Sequence, residues 1–420
     1  MAWLAWLLVG FAPRADDDPA AWLQAGDRVV FFGDSITQNG LYVTYLDAVL
    51  RARYPNRSVG LYNHGVSSET ISGTSEPDHD PRRPDAHRRF DRDVAAWKPN
   101  AVVACFGMND GNYHPPDDDR FARFRVGVER LIERTDAIGA RLVLLAPPPF
   151  DPYRRQVADP KAQAYGYKFP AIEYDQTLAR FAEWERTLSG RRLLVVDLHT
   201  RINEHLRRRR EGDVSFALAG DGVHPGETGH LVMALGLLDT LGLPEVWTEL
   251  AHDVGSGETL AGNLENFVQE AGEYRLAWRR LVPIPRDEHW DRRSLEIENL
   301  PARLGREKLT IKGLMPGAYE LSLVGEGTTW RCDRPLDAEE LARGVDLSSW
   351  WGDLPLQPRS DALLKAVREA RERRYAAWRL AIDRGEDAPA TDILESDAER
   401  LRDLARPGLV EVRLQRRQEE

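Results

Sequence analysis

Cysteine is nearly absent: the 420 residues hold only Cys105 and Cys332. Two thiols support neither a disulfide framework nor a cysteine-based zinc site. Cys105 lies inside the apolar run 101–106, where a buried, inert thiol is expected. Positive charge is also in deficit, with 57 Lys and Arg against 68 Asp and Glu, a formal net charge of −11. That balance argues against nucleic acid or an anionic membrane surface as the main partner. Beyond the first residues no apolar run is long enough to span a bilayer. Arginine far outnumbers lysine, and the run Arg207-Arg208-Arg209-Arg210 reads as the wet face of a helix end.

The N-terminal stretch 1–12 has the apolar character of a secretory signal but no basic lead-in. Residues 1–20 are therefore expected to be an export signal and linker, placing the protein in the periplasm or outside the cell. A short N-terminal arm on a cytoplasmic protein is the alternative.

From 26 to 243 short apolar runs alternate with helical patterns. The strands are expected at 28–32, 58–62, 101–106, 141–146 and 193–197, dense in Val, Leu and Phe and without clean alternation. Strands buried on both faces of a parallel sheet read this way. Helices are expected at 41–53, stopped by Tyr54-Pro55, at 121–138, ended by Gly139, through 174–188, and from Pro225 to about 241. The pattern predicts an α/β domain, one parallel sheet with helices on both sides. From 250 to 420 it changes. Strands are expected at 294–299, 308–314 and 318–324, the last two joined through Met315-Pro316-Gly317, and helices at 361–383 and 393–405. No catalytic motif appears there, so an accessory role is expected.

The chemistry gathers where the apolar runs stop. Gly33-Asp34-Ser35 follows the first strand, and Asp221-Gly222-Val223-His224 stands far downstream. A serine hydroxyl needs an imidazole to take its proton, and the imidazole needs a carboxylate to hold its tautomer. Ser35, His224 and Asp221 are those residue types, in the order Ser, Asp, His. Asn63-His64-Gly65 and Gly107-Met108-Asn109-Asp110 end two further runs, and either could offer donors to an oxyanion. In an open α/β sheet, sites form beyond the carboxyl ends of the strands, which is where these segments fall. A nucleophile elbow is excluded because Thr37 occupies its second glycine position.

The four segments, in the fuller text GDSITQNG, NHGVSSET, FGMND and DGVHPGETGH, resemble the blocks of the SGNH hydrolases, or GDSL esterases, over roughly residues 27 to 242. The text is most similar to the bacterial carbohydrate-esterase branch. The resemblance implies a flavodoxin-like three-layer α/β/α sandwich around a five-stranded parallel sheet. It also implies ester hydrolysis, often of O-acetyl groups on sugars, without metal or cofactor. It assigns Ser35 as nucleophile, His224 as base and Asp221 as its partner. The oxyanion donors it implies are the N–H groups of Ser35 and Gly65 and the side-chain amide of Asn109. Asp34 and His64 are candidate substrate contacts, and Asp110 reads as a turn former. One departure is Ser68, which follows Ser67 where many relatives carry glycine. The cluster Asp78, His79, Asp80, His87, Asp91 and Asp93 fits no metal-site spacing and reads as a solvated loop. Arg82, Arg83, Arg88 and Arg89 would favour anionic glycans if they bordered the cleft. The expected partner is an acylated small molecule or glycan. Rival readings are a lipase, lysophospholipase or thioesterase on the same scaffold, and a glycan-binding protein without turnover.

Overall fold

The strands of the first half pair in one parallel sheet. In this computed structural model, which describes residues 22–56, 58–159, 161–162, 164–242, 248–386 and 395–418, the chain runs β1 (Arg28–Gly33), α1 (Ser35–Asn39), α2 (Leu41–Arg53), β2 (Gly60–Gly65), α3 (Phe90–Asp93), β3 (Ala101–Cys105), α4 (Asp118–Ala137), β4 (Arg141–Leu145), α5 (Tyr174–Glu185), β5 (Leu193–Val196), α6 (Leu198–Arg210) and α7 (Glu227–Leu241). The strand order is β2-β1-β3-β4-β5, every pair parallel. This is the flavodoxin-like order, in which the chain reverses direction across the sheet between β1 and β3. Every residue of β3 is buried, as are five of six in β1, which explains their unbroken apolar text. The segment read as an export signal lies outside the described residues.

Local chemistry sets the ends of the elements. Arg53 ends α2 before Tyr54-Pro55, as expected. α4 starts three residues earlier than its apolar spacing suggested, because the Asp117 carboxylate accepts the Arg120 N–H at 2.8 Å and caps it.

The second half forms two further sheets. Its elements are β6 (Thr248–Asp253), β7 (Glu258–Ala261), β8 (Asn263–Glu270), β9 (Glu273–Arg280), α8 (Arg292–Glu298), α9 (Leu300–Leu304), β10 (Glu307–Lys312), β11 (Ala318–Gly325), β12 (Thr328–Arg331), β13 (Leu336–Asp337), α10 (Ala338–Arg343), β14 (Val345–Asp346), α11 (Gln357–Asp383), α12 (Glu395–Ala405) and β15 (Gly408–Arg416). One sheet has the order β14-β10-β6-β7; the other runs β12-β11-β15-β9-β8, with β13 on β11.

One expectation for this half is corrected, and two arrangements were not anticipated. Residues 294–299 are helical, because Asp291 caps α8 by accepting the Ser294 N–H; Leu295 and Ile297 only mimic a strand's alternation. The runs 308–314 and 318–324 do not pair with each other. β10 joins β6 and β14, whereas β11 joins β12, β13 and β15. β15, at the centre of its sheet, was not anticipated, although Val410, Val412 and Leu414 alternate inward. The expected helix start at 393 lies outside the described residues.

The two halves share a continuous apolar core. Polar bridges cross between them: the Tyr45 hydroxyl donates to Asp287 at 2.8 Å, Arg209 pairs with Asp291, and His205 lies between Ser294 and Glu298. Among the described residues no helix is long and apolar enough to cross a membrane.

Candidate active site

Ser35 opens α1 directly after β1, so its N–H has no helical acceptor. Its Oγ lies 2.9 Å from His224 Nε2, and His224 Nδ1 lies 2.7 Å from Asp221 Oδ2. The other Asp221 oxygen accepts the N–H groups of Val223 and His224 at 2.9 and 2.8 Å. Partial burial works to raise the Asp221 pKa, but these hydrogen bonds from His224 and Val223 hold it well below the usual carboxylate range. An ionised carboxylate at Nδ1 keeps the imidazole proton there. Nε2 is then free to accept from the Ser35 hydroxyl.

The Asp221–His224 turn is tied down from the loop after β4. The Asp151 N–H donates to the Gly222 carbonyl at 3.0 Å. Gly222 has φ +80°, and a β-carbon there would sit 2.5 Å from the Asp151 carbonyl oxygen, so only glycine fits. Asp151 is itself held by Arg210 at 2.5 Å. The Tyr167 ring meets the His224 ring edge-on at 6.4 Å, and the Arg155 guanidinium lies 3.9 Å from the centre of the Tyr167 ring.

Gly65 ends β2 and Asn109 lies just beyond the end of β3, so both stand at the carboxyl edge of the sheet. The Asn109 amide donates one hydrogen to the Glu69 carbonyl at 3.0 Å and accepts the Tyr113 hydroxyl at 3.3 Å, leaving its second N–H available. Asp110 is fully buried and accepts the Gly107 N–H at 2.9 Å and the Ser72 N–H at 2.8 Å, which makes it a turn-holding group. The Gly65 N–H donates to Asn63 Oδ1 at 3.0 Å, so an oxyanion would share that hydrogen with Asn63. A β-carbon on Gly65 would come within 2.1 Å of the Gln38 nitrogen. The backbone of α1 therefore demands glycine there. Ser68 adopts φ +64°, so a serine holds the left-handed conformation that glycine takes without strain.

The side chains of the two proposed substrate contacts are both buried. The His64 ring is buried, stacked on Trp378 at 4.6 Å and edge-on to Trp97, with Nδ1 2.6 Å from the Asp93 carbonyl. Burial pushes its pKa down to about 3. It is a packed, neutral histidine. Asp34 is also buried and caps α1 by accepting the Ile36 N–H at 2.9 Å.

Burial pushes the Asp34 carboxyl up to about 7, with the nearby Asp110 charge adding to it and the Ile36 N–H opposing it. Below about pH 4 the group is protonated folded and unfolded alike. As pH rises from about 4 to 7 the unfolded chain loses this proton while the folded chain keeps it, so stability falls through that window. Asp34→Asn preserves the cap acceptor and removes the titration. Its melting temperature relative to wild type is expected to rise from about pH 4 to pH 8; a difference independent of pH would show that the carboxyl ionises normally.

The reading of 78–93 as a solvated loop also needs correcting. Asp78, Asp80, Arg82, Arg88 and Asp91 are exposed, but Arg83, His87, Arg89 and Asp93 are buried. Arg83 grips Glu76 with two hydrogen bonds of 2.5 and 2.7 Å, and Arg89 grips Glu69 likewise at 2.6 and 2.5 Å. Their charge is spent internally, which leaves no four-arginine border for an anionic glycan. Among the described residues no group of three or more His, Cys, Asp or Glu is placed to hold a metal ion.

Residues 31–232 match the GDSL-like lipase/acylhydrolase family. The chain thus carries a domain that matches the GDSL-type hydrolases. It is 25% identical over 244 residues to an acetylxylan esterase from Geobacillus stearothermophilus, across 52% of this chain and 95% of that one. A solved structure described as a gut microbial diltiazem-metabolizing enzyme is similar over 94% of this chain and 98% of its own, with a TM-score of 0.69 at 17% identity. The shared fold therefore takes in the C-terminal half of the hydrolase as well as its sandwich.

Proposed function

We propose that this hydrolase removes short acyl groups, acetyl foremost, from a carbohydrate through an acyl-enzyme on Ser35. The observation that carries the mechanism is the continuous hydrogen-bonded chain from Ser35 through His224 to Asp221, joining side chains 189 positions apart. Ser35 Oγ attacks the ester carbonyl as Nε2 of His224 takes its proton. The oxyanion is met by the Ser35 N–H, the second amide hydrogen of Asn109 and the Gly65 N–H. His224 then protonates the departing alcohol, and later removes a proton from the water that cleaves the acyl-enzyme. Asp221 remains ionised and stabilises the imidazolium.

The carbohydrate part of the reading is supported by the acetylxylan esterase relative, matched over nearly its whole length. Full-length protein should be compared on acetylated xylooligosaccharides and on p-nitrophenyl acetate, octanoate and palmitate. Acetyl esters are expected to be cleaved with a kcat/KM at least about 10-fold above octanoate, since each misfitted methylene group costs on the order of 1 kcal/mol or more. Faster cleavage of palmitate than acetate would overturn the reading in favour of a lipase. Activity on acetate esters without release of acetate from any acetylated oligosaccharide would refute the carbohydrate assignment.

A further inference from the structure

β2 is the outer strand of the parallel sheet, hydrogen-bonded to β1 on one side only. Open strand edges are commonly covered by a helix or loop. Here the cover comes from more than 300 residues downstream. Arg371, Arg374, Tyr375 and Trp378 lie three or four residues apart on α11 and so share one face. Arg371 Nη2 donates to the Asn39 carbonyl at 2.8 Å, at the end of α1. Arg374 Nη1 donates to the Leu61 carbonyl at 2.7 Å, early in β2. Trp378 stacks on His64 with an interplanar angle of 14°. The Tyr375 hydroxyl donates to the Gly65 carbonyl at 3.0 Å.

Arg374 and Trp378 do what any edge cover would do. Tyr375 differs in what it holds. The peptide that begins with the Gly65 carbonyl ends in the Val66 N–H, which donates to the Gly33 carbonyl at 2.9 Å. One peptide unit is thus strung between the strand that delivers Ser35 and the phenol of α11. A β-carbon on Gly65 would collide with the α1 backbone, so the glycine lies close against that helix. Burial raises the Tyr375 pKa, which keeps the hydroxyl protonated and able to donate.

We propose that Tyr375 is a positioning residue for ester hydrolysis, its hydroxyl fixing the Gly65 peptide in register with Ser35. The C-terminal half is thereby a working part of the hydrolase. This rests on the reading of Ser35 as nucleophile and Gly65 as a wall of the oxyanion site.

The test uses full-length wild type, Tyr375→Phe and Arg374→Ala. Each is assayed with p-nitrophenyl acetate, with a boronic acid that forms a tetrahedral serine adduct, and by thermal melting. Tyr375→Phe is expected to lose about 10-fold in kcat with KM nearly unchanged, since loosened alignment weakens the transition state more than substrate binding. Boronate affinity should weaken by a similar factor. Arg374→Ala releases the same edge away from Gly65 and should melt lower with kcat unchanged. An unchanged kcat in Tyr375→Phe would overturn the proposal, as would losses in both variants that simply track melting temperature. Organophosphonate labelling of the wild type separates the layers. Label on Ser35 with no Tyr375→Phe effect sinks this proposal alone, whereas absence of label on Ser35 sinks the parent reading and this one with it.

Discussion

Ser35→Ala is expected to lower kcat for p-nitrophenyl acetate by about 10^5-fold or more, the scale of loss when a serine nucleophile is removed from a hydrogen-bonded triad. The geometry leaves no substitute. Ser35 Oγ is 2.9 Å from the only imidazole nitrogen that the Asp221 carboxylate leaves free to accept a proton. Fold and substrate affinity should survive, because Ser35 is only half-buried and its side chain is not part of the core. The measurement pairs steady-state kinetics with mass-spectrometric mapping of an organophosphonate adduct. Residual activity within about 100-fold of wild type would mean that another group attacks the ester, since the oxyanion site alone supplies only a fraction of the acceleration.

Asp221→Asn should cost about 10^4-fold in kcat, for a reason that depends on both carboxylate oxygens. One oxygen accepts two backbone N–H groups and the other faces His224 Nδ1. An asparagine has a single acceptor oxygen. If that oxygen stays with the backbone pair, the amide N–H group faces Nδ1 and forces the ring proton onto Nε2. Nε2 then donates and cannot take the Ser35 proton. If the amide turns round, its hydrogens confront two backbone donors and the turn loses its hold. The first arrangement keeps two hydrogen bonds, so the loss should appear as inactivity in a folded protein. A melting temperature near that of wild type with phosphonate labelling slowed in step with kcat would match this account. Near-normal kcat would show that His224 does not need Asp221 to choose its tautomer.

Much of this site was legible because each piece sits where an apolar run ends. Parallel strands buried on both faces make dense Val, Leu and Phe text, and their carboxyl ends carry the loops. Ser35 after β1 and Asn109 after β3 therefore fall on either side of the point where the sheet order reverses. Asp221 and His224 are legible as a pair because three residues of one turn bring a carboxylate to a ring. His64 and Asp34 were misread because a polar residue beside a candidate site residue carries no mark of which way it points. Packing decided it, with two tryptophans around the first and a helix cap for the second. The arginines of 78–93 misled for the same reason. Their partners, Glu76 and Glu69, are ordinary acidic residues until the fold encloses them.

The α/β alternation, the strand ends and the Ser, Asp, His order could be read directly from the chain, since periodicity and turn chemistry are local and leave their trace in neighbouring letters. Which distant residues pack around the candidate site could not. Tyr375 meets Gly65 across 310 positions, Arg155 and Tyr167 approach the His224 turn from another loop, and β15 completes a sheet begun more than a hundred residues earlier. Contacts of that kind arise only when burial drives distant segments into one core, because the free energy that selects them belongs to the packed whole and not to any stretch of sequence.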